Sequence, residues 1–285
     1  MTRAHAFPFS GAVTAGVGLK PEHYAQAQAD TRDGLWFEVH PENYMAAGGP
    51  RLKWLERVRR DHPVSLHGVG LSLAGAEPVD EAHLARLAQV AARTEPFAVS
   101  EHLAWSRQGE AHFPDLLPFP RTEAALARIC ANIARVQDVL RRPILIENPS
   151  HYVALPHDVP EIEFLSEMAR RTGCGLLIDV NNIHVSAHNL GFDSSAYVDA
   201  LPVAAIGEIH IAGHAHDEVG QLLIDSHDAP VAEPVWALLR RLLARTGPVP
   251  VLLERDGEVP DYDALMTERD QAQFEISRVG EAVDA

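Results

Sequence analysis

Two apolar rhythms alternate along the chain. Short runs, apolar throughout or at every second position, occupy 11–19, 35–43, 63–73, 97–106, 143–152, 175–184, 205–214 and 249–257. Runs of this length and pattern read as β-strands. Between them, 81–94, 123–142 and 233–246 repeat apolar residues at three- and four-residue spacing, the period of a helix with one buried face. Asp80, Thr122 and Ser194 stand where helix N-caps belong. Eight strand–helix alternations in about 250 residues predict an α/β fold, a single (β/α)8 TIM barrel spanning 1–285. A doubly wound open sheet would alternate in the same way, but no GxGxxG turn follows the first strand.

The sixth run, LLIDVNNIH (176–184), is apolar up to Asp179 and then turns polar. A barrel strand buried on both faces does this where it reaches the rim, and the C-terminal strand ends surround the active-site mouth. Those ends carry His67 on the third strand, His102 on the fourth, and Glu147 and Asn148 on the fifth. Asp179 and Asn182 follow on the sixth, Glu208 and His210 on the seventh, and Glu254 and Asp256 on the eighth. Asp225 and His227 lie just beyond the seventh strand, in DSHDAP. The donors are nitrogen and oxygen without thiolate, which suits Zn, Fe or Mn.

One strand-end histidine is usually a hydrogen-bonded structural residue, and Arg255 offers Glu254 a partner that is not a metal. A whole rim of such residues points to a shared cause. Crowded carboxylates and imidazoles repel, or shift their pKa values strongly, unless cations hold them. The donor count exceeds one ion's needs, so two or three ions are expected, with carboxylates such as Glu147 bridging. His40, His184, His188, His214 and His216 could line the rim or orient ligands; His214 ranks first, four residues after His210 on the same strand face. Asp115 is read as a loop residue that caps a helix or faces substrate, and the four tryptophans as packing.

Composition narrows the setting. Hydrophobic residues make up 46% of the 285, enough for a large core, and no apolar stretch is long enough for a membrane span. The N-terminal 20 residues lack the layout of a signal peptide, and two cysteines make no disulfide framework, so a cytoplasmic setting is expected. With 24 basic and 40 acidic residues the net charge is −16, which argues against nucleic acid as the main partner.

The stretches GVGLKPEHY, FEVHPENYM, HGVGLSL, SEHLAWS, LIENPSHYV, LIDVNNIHVSAHNLGFD, EIHIAGH and LIDSHDAPV, taken in order, resemble the multinuclear non-heme iron-dependent oxidative enzymes. The resemblance runs from about residue 11 to 260. More distantly, the rim is similar to that of xylose isomerase-like and endonuclease IV-like barrels. The closer resemblance implies two or three irons, in mixed ferrous and ferric states, that use O2 to rework cysteines of a ribosomally made precursor peptide. It also implies a small partner protein that presents the peptide. Carried over by position, His67, His102 and Glu147 would hold one iron, and Glu147, Asp179, His210 and Glu254 the next. Asn182, Asp225 and His227 would hold the third, with Asp256 beside the site as a base or proton relay. Asn182 stands where the hydrolytic barrels place a histidine, and a neutral amide oxygen is a weaker donor than imidazole. Asn148, Glu208, His214, His184 and Arg255 are candidates for contact with ligands or substrate.

Two other functions fit the rim. One is a Zn- or Mn-dependent hydrolase or isomerase of the endonuclease IV or sugar isomerase type, which would activate water. The other is a metal-dependent scaffold that binds a peptide without turnover.

Overall fold

A computed structural model describes residues 13–284. The barrel strands, labelled in chain order, are β1 (Ala15–Gly18), β2 (Phe37–Val39), β3 (Val64–Gly68) and β4 (Val99–His102). They continue as β5 (Leu145–Glu147), β6 (Gly175–Asp179), β7 (Ile206–Ala212) and β8 (Val251–Glu254). Each pairs in parallel with its chain neighbours, and β8 pairs with β1, so the sheet closes. All eight expected strands are found, in shorter form; positions 11–12 of the first lie outside the described residues.

Strand alternation builds the interior. Outward residues such as Phe37, Leu66, Val99, Ile146, Ile178, Ile209 and Leu253 belong to the main core beneath the helices. The inward set changes from apolar to polar up the barrel. Ala98, Leu145 and Leu177 cluster at the floor with Phe97, whose ring meets Trp36 edge-on at 5.0 Å. A Cβ on Gly16 would lie 2.3 Å from the Trp36 ring, so only glycine lets the indole fill this level. Above the floor come Glu38, Ser65, Ser100 and Glu208, all buried, and then the metal-liking residues at the strand ends.

A register shift between β6 and β7 pairs Leu176 with Ile206 but Leu177 with Glu208. This one-residue bulge turns Glu208 and His210 inward, and sets His210 level with Asp179.

The sequence-predicted helices appear as Glu81–Thr94, Glu123–Leu140 and Glu233–Thr246. Asp80 and Thr122 cap the first two as expected. Ser194 does not cap its helix: Asp193 accepts the N–H groups of Ser195 and Ala196, and Ser194 is the first helical residue.

The sixth strand is a larger correction. It stops at Asp179, and VNNIH opens a helix, Val180–Leu190, labelled α1 here. Asp179 is the N-cap, accepting the Asn182 N–H at 2.7 Å. Asp115 is likewise not in a loop but in a strand, Ala111–Leu117, that forms a hairpin with Trp105–Gln108. No helix among the described residues is long and apolar enough to cross a membrane.

Candidate metal centre

Three donors meet at the ends of β3, β4 and β5. His67 Nε2 lies 3.0 Å and His102 Nε2 3.2 Å from Glu147 Oε2, and the two ring nitrogens are 3.2 Å apart. Donors on one ion, about 2.1 Å from it at right-angle to tetrahedral spacing, lie about 3.0–3.4 Å apart. The far ring nitrogens are already used. His102 Nδ1 donates to the Gly68 carbonyl at 3.0 Å, which leaves a lone pair on Nε2. Ser100 Oγ donates to the Leu66 carbonyl and lies 2.7 Å from His67 Nδ1, so it accepts from that ring. Two lone pairs and a carboxylate oxygen therefore face one another.

Glu147 leads to a second group. Its ligand atoms and those of Asp179 and His210 fall within 4.8 Å of one another, as do those of His67, His210 and Glu254. A third group joins Asp179 and Glu254 to His227. His227 Nε2 is 2.8 Å from Asp225 Oδ1, and its Nδ1 is 3.3 Å from Glu254 Oε2 and 3.1 Å from Asp256 Oδ2. Asp256 also pairs with Lys20.

Two buried oxygens here, Asp179 Oδ2 and Asn182 Oδ1, have no hydrogen-bond partner, and Glu147 Oε2 has only the two imidazoles beside it. Such atoms cost about 1–3 kcal/mol each when left unpaired. Cations would satisfy them, and the hard oxygen and imidazole donors fit ferrous or ferric iron, zinc or manganese.

In the metal-free form, protons do part of this work. Burial disfavours the charge on His67, yet Glu147 and Glu38 push it up to about 10. His227 and His210 are also raised well above the usual range: burial opposes their charge, but Asp225 and Glu254 beside the first, and Glu254 and Glu38 beside the second, outweigh it. Asp179 is raised by burial and by Asp225 and Glu147. His102 is lowered to about 4 by burial.

The remaining predicted residues fall in different places. Asn148 braces the site by exchanging hydrogen bonds with the Asp179 backbone across β5 and β6. Asn182 points toward Glu147, with Nδ2 3.2 Å from Oε1, while its neighbour Asn181 donates to Asp225 at 2.8 Å. The switch to helix at Val180 explains this, because consecutive helical residues turn through about 100°. Glu208 sits one layer down, 3.4 Å from His210 Nε2 and opposite Glu38. Arg255 is not brought to the centre: next to inward Glu254 it faces outward, with Nε 3.9 Å from Glu268 Oε2. His214 Nδ1 meets Asn181 Oδ1 at 2.8 Å, and the His184 ring lies 4.9 Å from the His214 ring. Sequence reading missed Glu38 and Asn181. The alternation that places Glu38 two residues before His40 on one strand face was its available signal.

The loop carrying Asp225 and His227 leans on Gly213. His227, in the left-handed region at φ 51°, donates its N–H to the Gly213 carbonyl at 3.1 Å. A Cβ at Gly213 would lie 1.8 Å from the Ala229 carbonyl oxygen. Gly213→Ala should push this loop off and remove one metal equivalent, leaving the ion at His67, His102 and Glu147. Metal analysis per chain checks the loss.

Comparison with known proteins now bears on this rim. The family profile described as "RiPP precursor modification enzyme MbnB/TglH/ChrH" matches residues 14–276. The chain belongs to this family. A RiPP is a ribosomally synthesised and post-translationally modified peptide, so the family's substrates are precursor peptides. The chain is 62% identical over 261 residues to a Caulobacter vibrioides protein, covering 91% of this chain and 93% of the relative. A Bordetella bronchiseptica relative is 51% identical over 268 residues, covering 93% of each. Both are named as UPF0276 proteins.

Among solved structures, a Clostridium cellulolyticum D-psicose 3-epimerase with D-tagatose superposes with a TM-score of 0.62 at 9% identity, covering 94% of this chain and 99% of the other. Endonuclease IV from Thermus thermophilus gives 0.57 at 19% identity, covering 92% and 99%. These likenesses establish the TIM-barrel fold and say nothing of the reaction.

Proposed function

We propose that the protein is a multinuclear iron-dependent oxidase that uses O2 to modify cysteines of a precursor peptide, which a small partner protein presents. The observation that carries this reading is the chain of shared carboxylates. Glu147 belongs to two donor groups, and Asp179 and Glu254 each join a further pair. One isolated ion needs no shared ligands, whereas adjacent ions do.

His67, His102 and Glu147 would hold the first iron, Glu147, Asp179, His210 and Glu254 the second, and Asn182, Asp225 and His227 the third. Bound iron would supply one-electron chemistry with O2 and an anchor for a substrate thiolate. The chain's own residues do the rest. The apolar floor of Ala98, Leu145 and Leu177 lies beneath the centre, so among the described residues the rim is the polar side from which substrate would approach. A cavity of about 70 Å³ beside Glu254 and Asp256 is lined by Lys20, His40, Tyr44 and Arg51 and gives access. Asp256 stands at this opening. Burial raises its carboxyl, but the His227 hydrogen bond and Lys20 outweigh that and hold it well below the usual range. It is therefore ionised at neutral pH, with His227 and Lys20 balancing its charge, and a proton passing between substrate and solvent would be relayed through this hydrogen-bonded group and not held on Asp256.

Oxygen uptake tests the reading. Iron loaded anaerobically should let the protein consume O2 when a cysteine-bearing precursor and its partner protein are added, and not when the cysteines are replaced by serine. Stoichiometric zinc with hydrolytic activity, and no uptake, would overturn it.

A further inference from the structure

Outside the centre, four histidines converge on the rim in two chelate spacings. His184 and His188 are four residues apart on α1, and so share one helix face. His214, two residues past the end of β7, and His216, in a short hairpin of Ala215–His216 with Leu223–Ile224, both face α1. The two pairs oppose each other ring to ring, His184 to His214 at 4.9 Å between centres and His188 to His216 at 6.5 Å. With a metal about 2.1 Å from each ring nitrogen, two imidazoles at tetrahedral spacing have centres about 5 Å apart. The first pair already meets this. The second lies on exposed side chains, with His188 Nε2 3.3 Å from the Gln221 carbonyl, so that ring would exchange this hydrogen bond for the metal or offer Nδ1 instead.

The frame between the pairs is fixed. Asn189 of α1 accepts the Leu223 N–H at 2.9 Å and donates to the Leu223 carbonyl at 3.0 Å, clamping helix to hairpin. Asn181 holds His214 Nδ1 through its Oδ1, and is itself fixed by its bond to Asp225. The amide oxygen can only accept, so His214 Nδ1 carries the proton and Nε2 keeps its lone pair.

We infer that His184, His188, His214 and His216 form a separate site for one divalent transition-metal ion of the imidazole-preferring class, such as Ni²⁺ or Zn²⁺. The site uses no ligand of the buried centre and has no thiolate or carboxylate, so it selects against Mg²⁺ and Ca²⁺.

The test uses tag-free protein with its centre already loaded with iron, titrated anaerobically with Ni²⁺ by calorimetry while iron content is followed. One Ni²⁺ per chain should bind without displacing iron. The exposed pair can be removed without touching the core, and His188→Ala/His216→Ala should weaken the binding at least about tenfold. His184→Ala should do the same from the other end of the helix face. No Ni²⁺ binding by the parent protein, or binding that both variants leave unchanged as an adventitious surface ion would, overturns the site. Because the readout is nickel and not turnover, the result stands apart from whether the centre oxidises peptides.

Discussion

Glu147→Gln is expected to strip at least two metal ions from the chain and to lower peptide-dependent O2 uptake at least about 1,000-fold. Loss of a group that only orients a ligand costs about 10–100-fold in affinity or activity. Glu147 goes further, because its carboxylate belongs both to the group with His67 and His102 and to the group with Asp179 and His210. Gln keeps the size, and the hydrogen bond from Asn182 to Oε1 can persist, but the shared negative charge is gone. Asp225→Asn is the informative contrast, since the Asp225 carboxylate meets His227 and Asn181 and belongs to no group that shares Glu147. It should cost one ion. Elemental analysis of both variants, with circular dichroism to confirm folding, separates the two outcomes.

Chelating the metal should make stability fall as pH rises above neutral. In the metal-free protein His67 is raised to about 10, against about 6.5 in an unfolded chain. A raised histidine contributes stability that is fully present below the unfolded pKa and lost as pH climbs to the folded one. The window is therefore roughly pH 6.5–10, with a slope of up to about 1.4 kcal/mol per pH unit for each such proton. From pH 7 to 9, His67 alone removes about 2.5 kcal/mol, and His210 and His227, raised in the same direction, add to it. Bound metal requires neutral imidazole, so the loaded protein should lack this slope, and metal affinity should rise with pH. Urea unfolding of chelated and loaded protein at both pH values measures the difference. A chelated protein equally stable at pH 7 and 9 would mean that these histidines are not ion-paired in the metal-free fold.

The barrel was legible because its strands announce themselves by length and its helices by period. What the sequence hid were the changes of backbone state within a run. LLIDVNNIH reads as one strand because Val180 and Ile183 continue its apolar character, yet Asp179 ends the strand by capping a helix. That switch gives Asn181 and Asn182 different partners, which no spacing rule for strands foretells. Glu208 and His210 were visible as a pair, but their inward turn depends on a bulge against β6 that local pattern does not encode. Arg255 was drawn toward Glu254 by sequence adjacency, although neighbours on a strand face opposite ways. Glu38 was hidden for a related reason: a lone carboxylate between Phe37 and Val39 gains meaning only when β3 and β7 bring Ser65 and His210 beside it.

Mössbauer spectroscopy of protein loaded anaerobically with ⁵⁷Fe, then briefly exposed to air, tests the shared-carboxylate iron centre most directly. Glu147 joining two donor groups predicts at least two iron sites per chain, with magnetic coupling between neighbours that Glu147→Gln abolishes. A single uncoupled iron per chain, or coupling that survives Glu147→Gln, would contradict it.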